Sequence, residues 1–364
     1  VIHNGSKIFG ENSLILKGAV LGYEAPVTIE NCQIGPDVRL NGGFFKQSVF
    51  LKQSSIGSGA QVREGTIFEE SASAAHCVGL KQTILFPYVT LGSQINFCDC
   101  LMSGGTDKKN HSEVGSSYIH FNFTPQQDKA TPSLIGDVPK GVMLNQSPIF
   151  LGGQGGLVGP SRLAYGVTIA AGTIFRNDEL RENRLIFGGA SKNGTIHYTP
   201  GAYSNVKRIF NNNIFYIANL LALFQWYQHI RFQFISDEFP IQLYEGVLEK
   251  LEIAVNERIK RLEDFVIKTS EFKLASEKLK KQNQIMAQQW PVIKDLLNSY
   301  RESAGDVQLK DNFIKTIKNR LNNYENSYLK TIMNLTPEEQ SIGSQWLQGI
   351  VDQLVNDIND KTEG

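Results

Sequence analysis

A chain of 364 residues with 41% apolar residues is too long for one ordinary core and suits a two-domain globular protein. Its 36 lysines and arginines balance 36 aspartates and glutamates, so no general charge field recruits nucleic acid or an anionic membrane. Four cysteines (Cys32, Cys77, Cys98 and Cys100) are too few for a disulfide framework and point to free thiols in a reducing cytoplasm.

From the N-terminus onward the first signal is a repeat. Phe9, Ile15, Leu21 and Val27 stand six apart, and after a slip the series resumes as Phe44, Phe50, Ile56, Val62 and Phe68. It returns as Leu85, Leu91 and Phe97, and finally as Leu157, Leu163, Ile169 and Phe175. An amphipathic helix needs apolar residues at three and four, which a strict step of six does not supply. Aliphatic-glycine pairs such as Ile34-Gly35, Ile56-Gly57, Leu91-Gly92 and Val114-Gly115 suit corners that need unusual dihedrals. Each hexad then reads as a short strand and a turn. Three hexads make a triangular coil, and about ten coils stacked at about 4.8 Å give a prism roughly 50 Å long.

Within this region Cys98-Asp99-Cys100 lacks a second cysteine pair, so we expect two small buried residues and no metal. The stretch Ser103 to Asn110 interrupts the repeat and is flanked by His111 and, further on, His120, which alternates with Asn122 along a predicted strand. His76, after Ala74-Ala75, is read as structural at a corner. The segment from Gly152 to Gly156 offers consecutive N–H groups that suit a phosphate. It precedes a strand and lacks the P-loop lysine and serine, which favours a tight coil corner.

Residues 1–187 are therefore assigned to the β-helix and 188–202 to a linker opened by Gly188-Gly189. Residues 203–364 form a separate all-α helical domain of about five helices, because the period changes. Tyr244, Leu248, Leu251, Val255, Ile259, Leu262 and Val266 follow helical spacing, and Thr336-Pro337-Glu338-Glu339 reads as a helix start. The most apolar stretch, Ile214 to Tyr227, is interrupted by Asn219 and Gln225 and is shorter than the about 20 residues of a membrane span. It is expected as a buried helix, with no membrane partner. The chain begins at Val1 rather than Met and shows no signal-peptide pattern, which leaves room for an upstream domain.

The aliphatic-Gly pattern resembles the hexapeptide-repeat family, which implies a left-handed parallel β-helix. Within it, Ser112 to Asp178 resembles the acetyltransferase domain of the bifunctional N-acetylglucosamine-1-phosphate uridylyltransferase/glucosamine-1-phosphate acetyltransferase. The matching text is Val114-Gly115-Ser116-Ser117, Asn122-Phe123, Leu134-Ile135-Gly136-Asp137, Leu157-Val158-Gly159-Pro160 and Thr168-Ile169-Ala170-Ala171-Gly172-Thr173. The resemblance implies a homotrimer, with acetyl-CoA along the coils near Gly153 and Ala171 and a sugar phosphate or nucleotide sugar near Asn122, Phe123 and Lys129. Phe123 lacks the hydroxyl of the family's tyrosine. The family's catalytic histidine would fall near Asp99, where no histidine stands, so His111 and His120 become the candidate bases.

Three functions are compatible with this reading. The first is an acyl-CoA-dependent transferase of sugar-nucleotide metabolism. The second is the β-helix part of a UDP-N-acetylglucosamine pyrophosphorylase-like nucleotidyltransferase whose chemistry lies upstream. The third is a non-catalytic trimeric scaffold.

Overall fold

The computed structural model describes residues 1–126, 128–188, 195, 203, 205–271, 277–321 and 327–362. Its N-terminal half is a left-handed parallel β-solenoid of about ten turns. Three columns of inward residues fill the prism, and strand register identifies them. Ile29, Phe45 and Val62 stack on the first face, and below them Leu80, Phe97, His120, Leu157 and Phe175. Ile15, Ile34, Phe50, Phe68, Leu85, Met102, Ile135 and Leu163 stack on the second. On the third, Leu21, Leu40, Ile56, Ala74, Leu91, Val114, Leu151 and Ile169 do the same.

The six-step series therefore marks the core, with two corrections. Phe9 is 48% exposed and Phe44 only half-buried, whereas their neighbours Ile8 and Phe45 point inward. Where two apolar residues are adjacent, a one-residue slip exchanges the two sides of a strand.

Corners between faces place residues in the left-handed region at matching heights. Asn31, Gln47, Gln82 and Asp99 all have φ between 43° and 60°, although none is glycine. Asparagine and aspartate tolerate this conformation better than other residues with a Cβ. At the corner after the third face, glycine is required by close approach. A Cβ on Gly115 would lie 2.4 Å from the Gly153 backbone nitrogen, and one on Gly152 would lie 2.3 Å from that of Ala171. The glycine-rich segment thus serves coil stacking, and the left-handed residue within it is Gln154, not a glycine.

The interruption after Met102 is a hairpin of Gly105–Asp107 and Asn110–His111. A short helix α1, Val138–Gly141, forms a second excursion, capped by the Asp137 side chain accepting from the Lys140 N–H.

The C-terminal half contains, among the described residues, α2 (Val206–His229), α3 (Ile241–Glu271), α4 (Glu277–Ser299), α5 (Val307–Leu321), α6 (Tyr328–Met333) and α7 (Pro337–Thr362). A 3-10 turn, Arg231–Phe234, follows α2. The helix start at Thr336 is a reciprocal cap: Thr336 N–H donates to Glu339 Oε2 at 2.8 Å and Glu339 N–H to Thr336 Oγ1 at 3.3 Å. No described helix is long and apolar enough to cross a membrane. The linker assigned to 188–202 lies almost wholly outside the described residues.

The helices do not stand apart from the prism. On the second face the outward residues are also apolar: Val49, Ile67, Ile84, Leu101 and Leu134 run down it, and all are buried. α3 and α2 lie on this stripe. A strand buried on both sides loses alternation and reads as an apolar doublet, as Val49-Phe50 and Ile84-Leu85 do. The polar residues that interrupt the apolar stretch of α2 are its pins. Asn219 Oδ1 accepts the Val138 N–H at 2.8 Å, Asn213 Nδ2 donates to Ala130 O at 3.0 Å, and Gln225 Nε2 donates to Arg301 O at 2.8 Å.

Candidate functional site

Two regions of the prism hold the residues singled out by sequence. The first is the corner where Asp99 leaves the first face. Asp99 is 4% exposed and receives Asn122 Nδ2 on Oδ2 at 2.7 Å. Its Oδ1 is paired with Arg258 Nη2 of α3 at 2.8 Å, and both side chains are buried. Arg258 Nη1 also donates to Lys129 O at 3.4 Å. The position expected to carry a catalytic base thus holds a carboxylate sealed by an arginine from the helical half. Asn122 is committed to that carboxylate, while Phe123 is 60% exposed and the Lys129 side chain is exposed.

His120 corrects the expectation drawn from alternation. Its strand is Ile119–Phe121, so Asn122 lies beyond the strand end and His120 points into the prism between Phe97 and Leu157. It is 1% exposed, with Nδ1 2.7 Å from Cys98 O and Nε2 2.7 Å from Ser133 Oγ. Burial pushes its imidazole down to about 4, so it is neutral at pH 7. This is a core histidine whose two nitrogens are both used. His111 sits at the base of the hairpin, with Nδ1 3.0 Å from Lys108 O and Nε2 3.7 Å from Glu113 Oε2. It is half-buried and lies across the width of the third face from Gly115.

The second region is the corner column that follows the third face. Gly57, Ala75, Gly92, Gly115, Gly152 and Ala170 succeed one another there, each after an inward aliphatic residue or Ala74. The next residue in each coil forms an outer edge: Ser58, His76, Ser93, Ser116, Gly153 and Ala171. Hydrogen bonds run along it. His76 Nδ1 is 3.1 Å from Ser93 Oγ, and Ser93 N–H donates to Ser116 Oγ at 3.1 Å. Glu24 Oε2 accepts the Ser58 N–H at 3.3 Å, and interaction with Ser58, Asn41 and His76 holds its carboxyl below the usual range despite slight desolvation. Small side chains leave the lower edge open; a Cβ on Gly172 would meet nothing within 4 Å.

His76 is therefore the exposed histidine of this edge, hydrogen-bonded to a hydroxyl, although its sequence context suggested only a corner. The signal that marks it is register: it occupies, in an earlier coil, the same corner position as Gly153 and Ala171. Cys98 and Cys100 are buried, and burial raises both thiols, the former to about 11. Among the described residues no group of three histidine, cysteine or acidic side chains is placed to hold a metal.

No family model matches the sequence. Over 154 residues, 42% of this chain, it is 27% identical to the bifunctional protein GlmU of Thermotoga maritima, and to the same degree to that of Thermotoga petrophila. The alignment takes in 31% of those proteins, so the chain spans about a third of the length of the curated relatives it matches. Among solved structures, the Arabidopsis UDP-N-acetylglucosamine acyltransferase aligns over 52% of this chain and 71% of its own at 11% identity, with a TM-score of 0.21. A hexapeptide transferase family protein from Anaplasma phagocytophilum aligns over 70% of this chain and 99% of its own at 10% identity, with a TM-score of 0.18. By repeat, register and the segment shared with GlmU, the N-terminal half of this chain is a hexapeptide-repeat parallel β-helix.

Proposed function

We propose that this protein is an acyl-CoA-dependent transferase acting on an amino-sugar phosphate or a nucleotide sugar. The observation that carries the reading is the 27% identity to GlmU over 154 residues, taken together with the stacked hexapeptide coils. On the corner edge Gly153 packs closely against Ser116, while Ala171 and Gly172 are exposed and give an open strip for a pantetheine arm. His76 lies farther up the same strip, three coils from Gly153 or about 14 Å at the spacing of parallel strands, with Ser93 one coil nearer.

Acyl transfer to an amine needs a base within hydrogen-bond reach of the attacking nitrogen. On this reading His76 takes that role in place of His120, whose ring is enclosed, and His111, which belongs to the other side of the third face. His76 accepts the proton at Nε2 while Nδ1 stays on Ser93. Asn122, Phe123 and Lys129 contribute to the acceptor side only through Phe123 and Lys129, because Asn122 is tied to Asp99.

A thiol-release assay with acetyl-CoA and glucosamine 1-phosphate or UDP-linked amino sugars tests this. Turnover that falls at least about a hundredfold in His76→Ala, the usual range for a lost general base, and is retained in His111→Ala supports the reading. Absence of turnover with every acceptor overturns it. One observation favours a second reading, a non-catalytic scaffold: Arg258 fills the pocket corner at Asp99 from within the same chain. Under that reading His76→Ala leaves every functional readout unchanged.

A further inference from the structure

A concavity not used above lies between the second corner of the prism and the helical half. It has a volume of about 390 Å³, within the range of small-molecule sites. Its floor is a buried ion pair that joins the two halves. Arg231 Nη2 of the 3-10 turn meets Glu70 Oε1 of the prism at 2.5 Å, with 1% and 12% of the side chains exposed. The guanidinium is packed among rings, 3.8 Å from the Tyr328 centroid and 4.6 Å from that of Phe239.

The pairing is incomplete. Glu70 Oε2 and Arg231 Nε and Nη1 are buried without a hydrogen-bond partner among the described residues. Leaving such atoms unmet costs roughly 1–3 kcal/mol each, more for charged groups, so a site that keeps an acceptor and a donor side by side calls for a reason. Behind the floor, burial pushes the Glu69 carboxyl up to about 7, and Tyr227 donates to it at 2.5 Å. Perturbed groups gathered in a cleft are a mark of function.

The walls and rim narrow the class of ligand. Tyr88 and Phe234 present rings to the cavity beside Tyr328, which suits a flat heterocycle. At the mouth, Lys52 holds Glu238 at 2.6 Å and is neutralised by it, while Lys330 is exposed and has no ion pair among the described residues. Among the described residues the mouth therefore carries one cation without an ion pair. An edge with both a donor and an acceptor at the deep end, aromatic walls and an anion site at the mouth are together the complement of a nucleotide.

We propose that this cavity binds a nucleoside monophosphate, with the base edge toward Glu70 and Arg231, the base against Tyr328, and the phosphate at Lys330. The site stands apart from the corner edge assigned to acyl transfer and is independent of that assignment. Isothermal titration calorimetry on the full chain, without acyl donor, tests it with AMP, GMP, CMP and UMP, and with ribose 5-phosphate as the base-free control. At least one nucleotide is expected to bind, ribose 5-phosphate at least about tenfold more weakly, a loss in keeping with the stacking contribution of a base. Lys330→Ala, on an exposed side chain that folding does not need, is expected to weaken binding about fivefold, and Glu70→Gln to change the preference among the four bases. Binding of none of the four overturns the proposal. So does equal affinity in wild type and Lys330→Ala, or ribose 5-phosphate binding as tightly as the best nucleotide.

Discussion

Arg258→Ala is expected to cost the protein about 3–5 kcal/mol, because it strips a buried carboxylate of its counter-charge. In the wild type, Asp99 is enclosed and meets Arg258 Nη2 at 2.8 Å and Asn122 Nδ2 at 2.7 Å. With the guanidinium removed, one amide donor remains to compensate a charge from which water is excluded. The same change deletes the bond from Arg258 Nη1 to Lys129 O and opens a void under α3. A double variant, Asp99→Asn with Arg258→Met, replaces the pair with neutral groups of similar volume and should recover most of the loss, since buried pairs gain little over well-packed neutral residues. Urea unfolding followed by far-UV circular dichroism reads both. A single variant within about 1 kcal/mol of wild type, or a double variant no more stable than the single, refutes the reasoning that this pair clamps α3 to the prism.

Two further outcomes follow from the core of the prism. His120 has a folded pKa of about 4 against an ordinary 6.5, so the unfolded chain binds the extra proton between those values. Its contribution to stability is present above about pH 6.5 and is lost as pH falls toward 4, by about 3 kcal/mol in total. Denaturation midpoints of wild type and His120→Phe at pH 7.5 and 4.5 check this; an equal drop in both proteins contradicts it. Gly152→Ala places a methyl 2.3 Å from the Ala171 nitrogen, which forces two coils apart, and a loss of about 1–3 kcal/mol is expected in thermal unfolding. A variant as stable as wild type would return the glycine-rich segment to the phosphate-cradle reading.

The repeat was legible because a prism coil imposes its period on every inward residue. What the step of six could not decide is which member of an adjacent apolar pair faces inward, as at Phe44-Phe45, where the partner strand alone fixes the side. The doublets Val49-Phe50, Ile67-Phe68 and Leu101-Met102 carried a further signal, that one face is covered. Alternation misplaced His120 because it was extended past Phe121, the last residue of its strand. The Asp99–Arg258 and Glu70–Arg231 pairs join residues more than 150 positions apart, and no local pattern announces them. His76 was visible as a residue but not as a member of the column that holds Gly153, since that relation exists only after the coils are stacked.

On the proposed function, the edge running from His76 to Ala171 receives an acyl-CoA. Calorimetric titration of CoA into wild type and Ala171→Trp measures it directly, because the new ring would cover the open strip beside Gly172, where a Cβ now meets nothing within 4 Å. Saturable binding to wild type and its loss, by at least about tenfold, in the variant are expected. No heat of binding in wild type, or equal affinity in the two proteins, would contradict it.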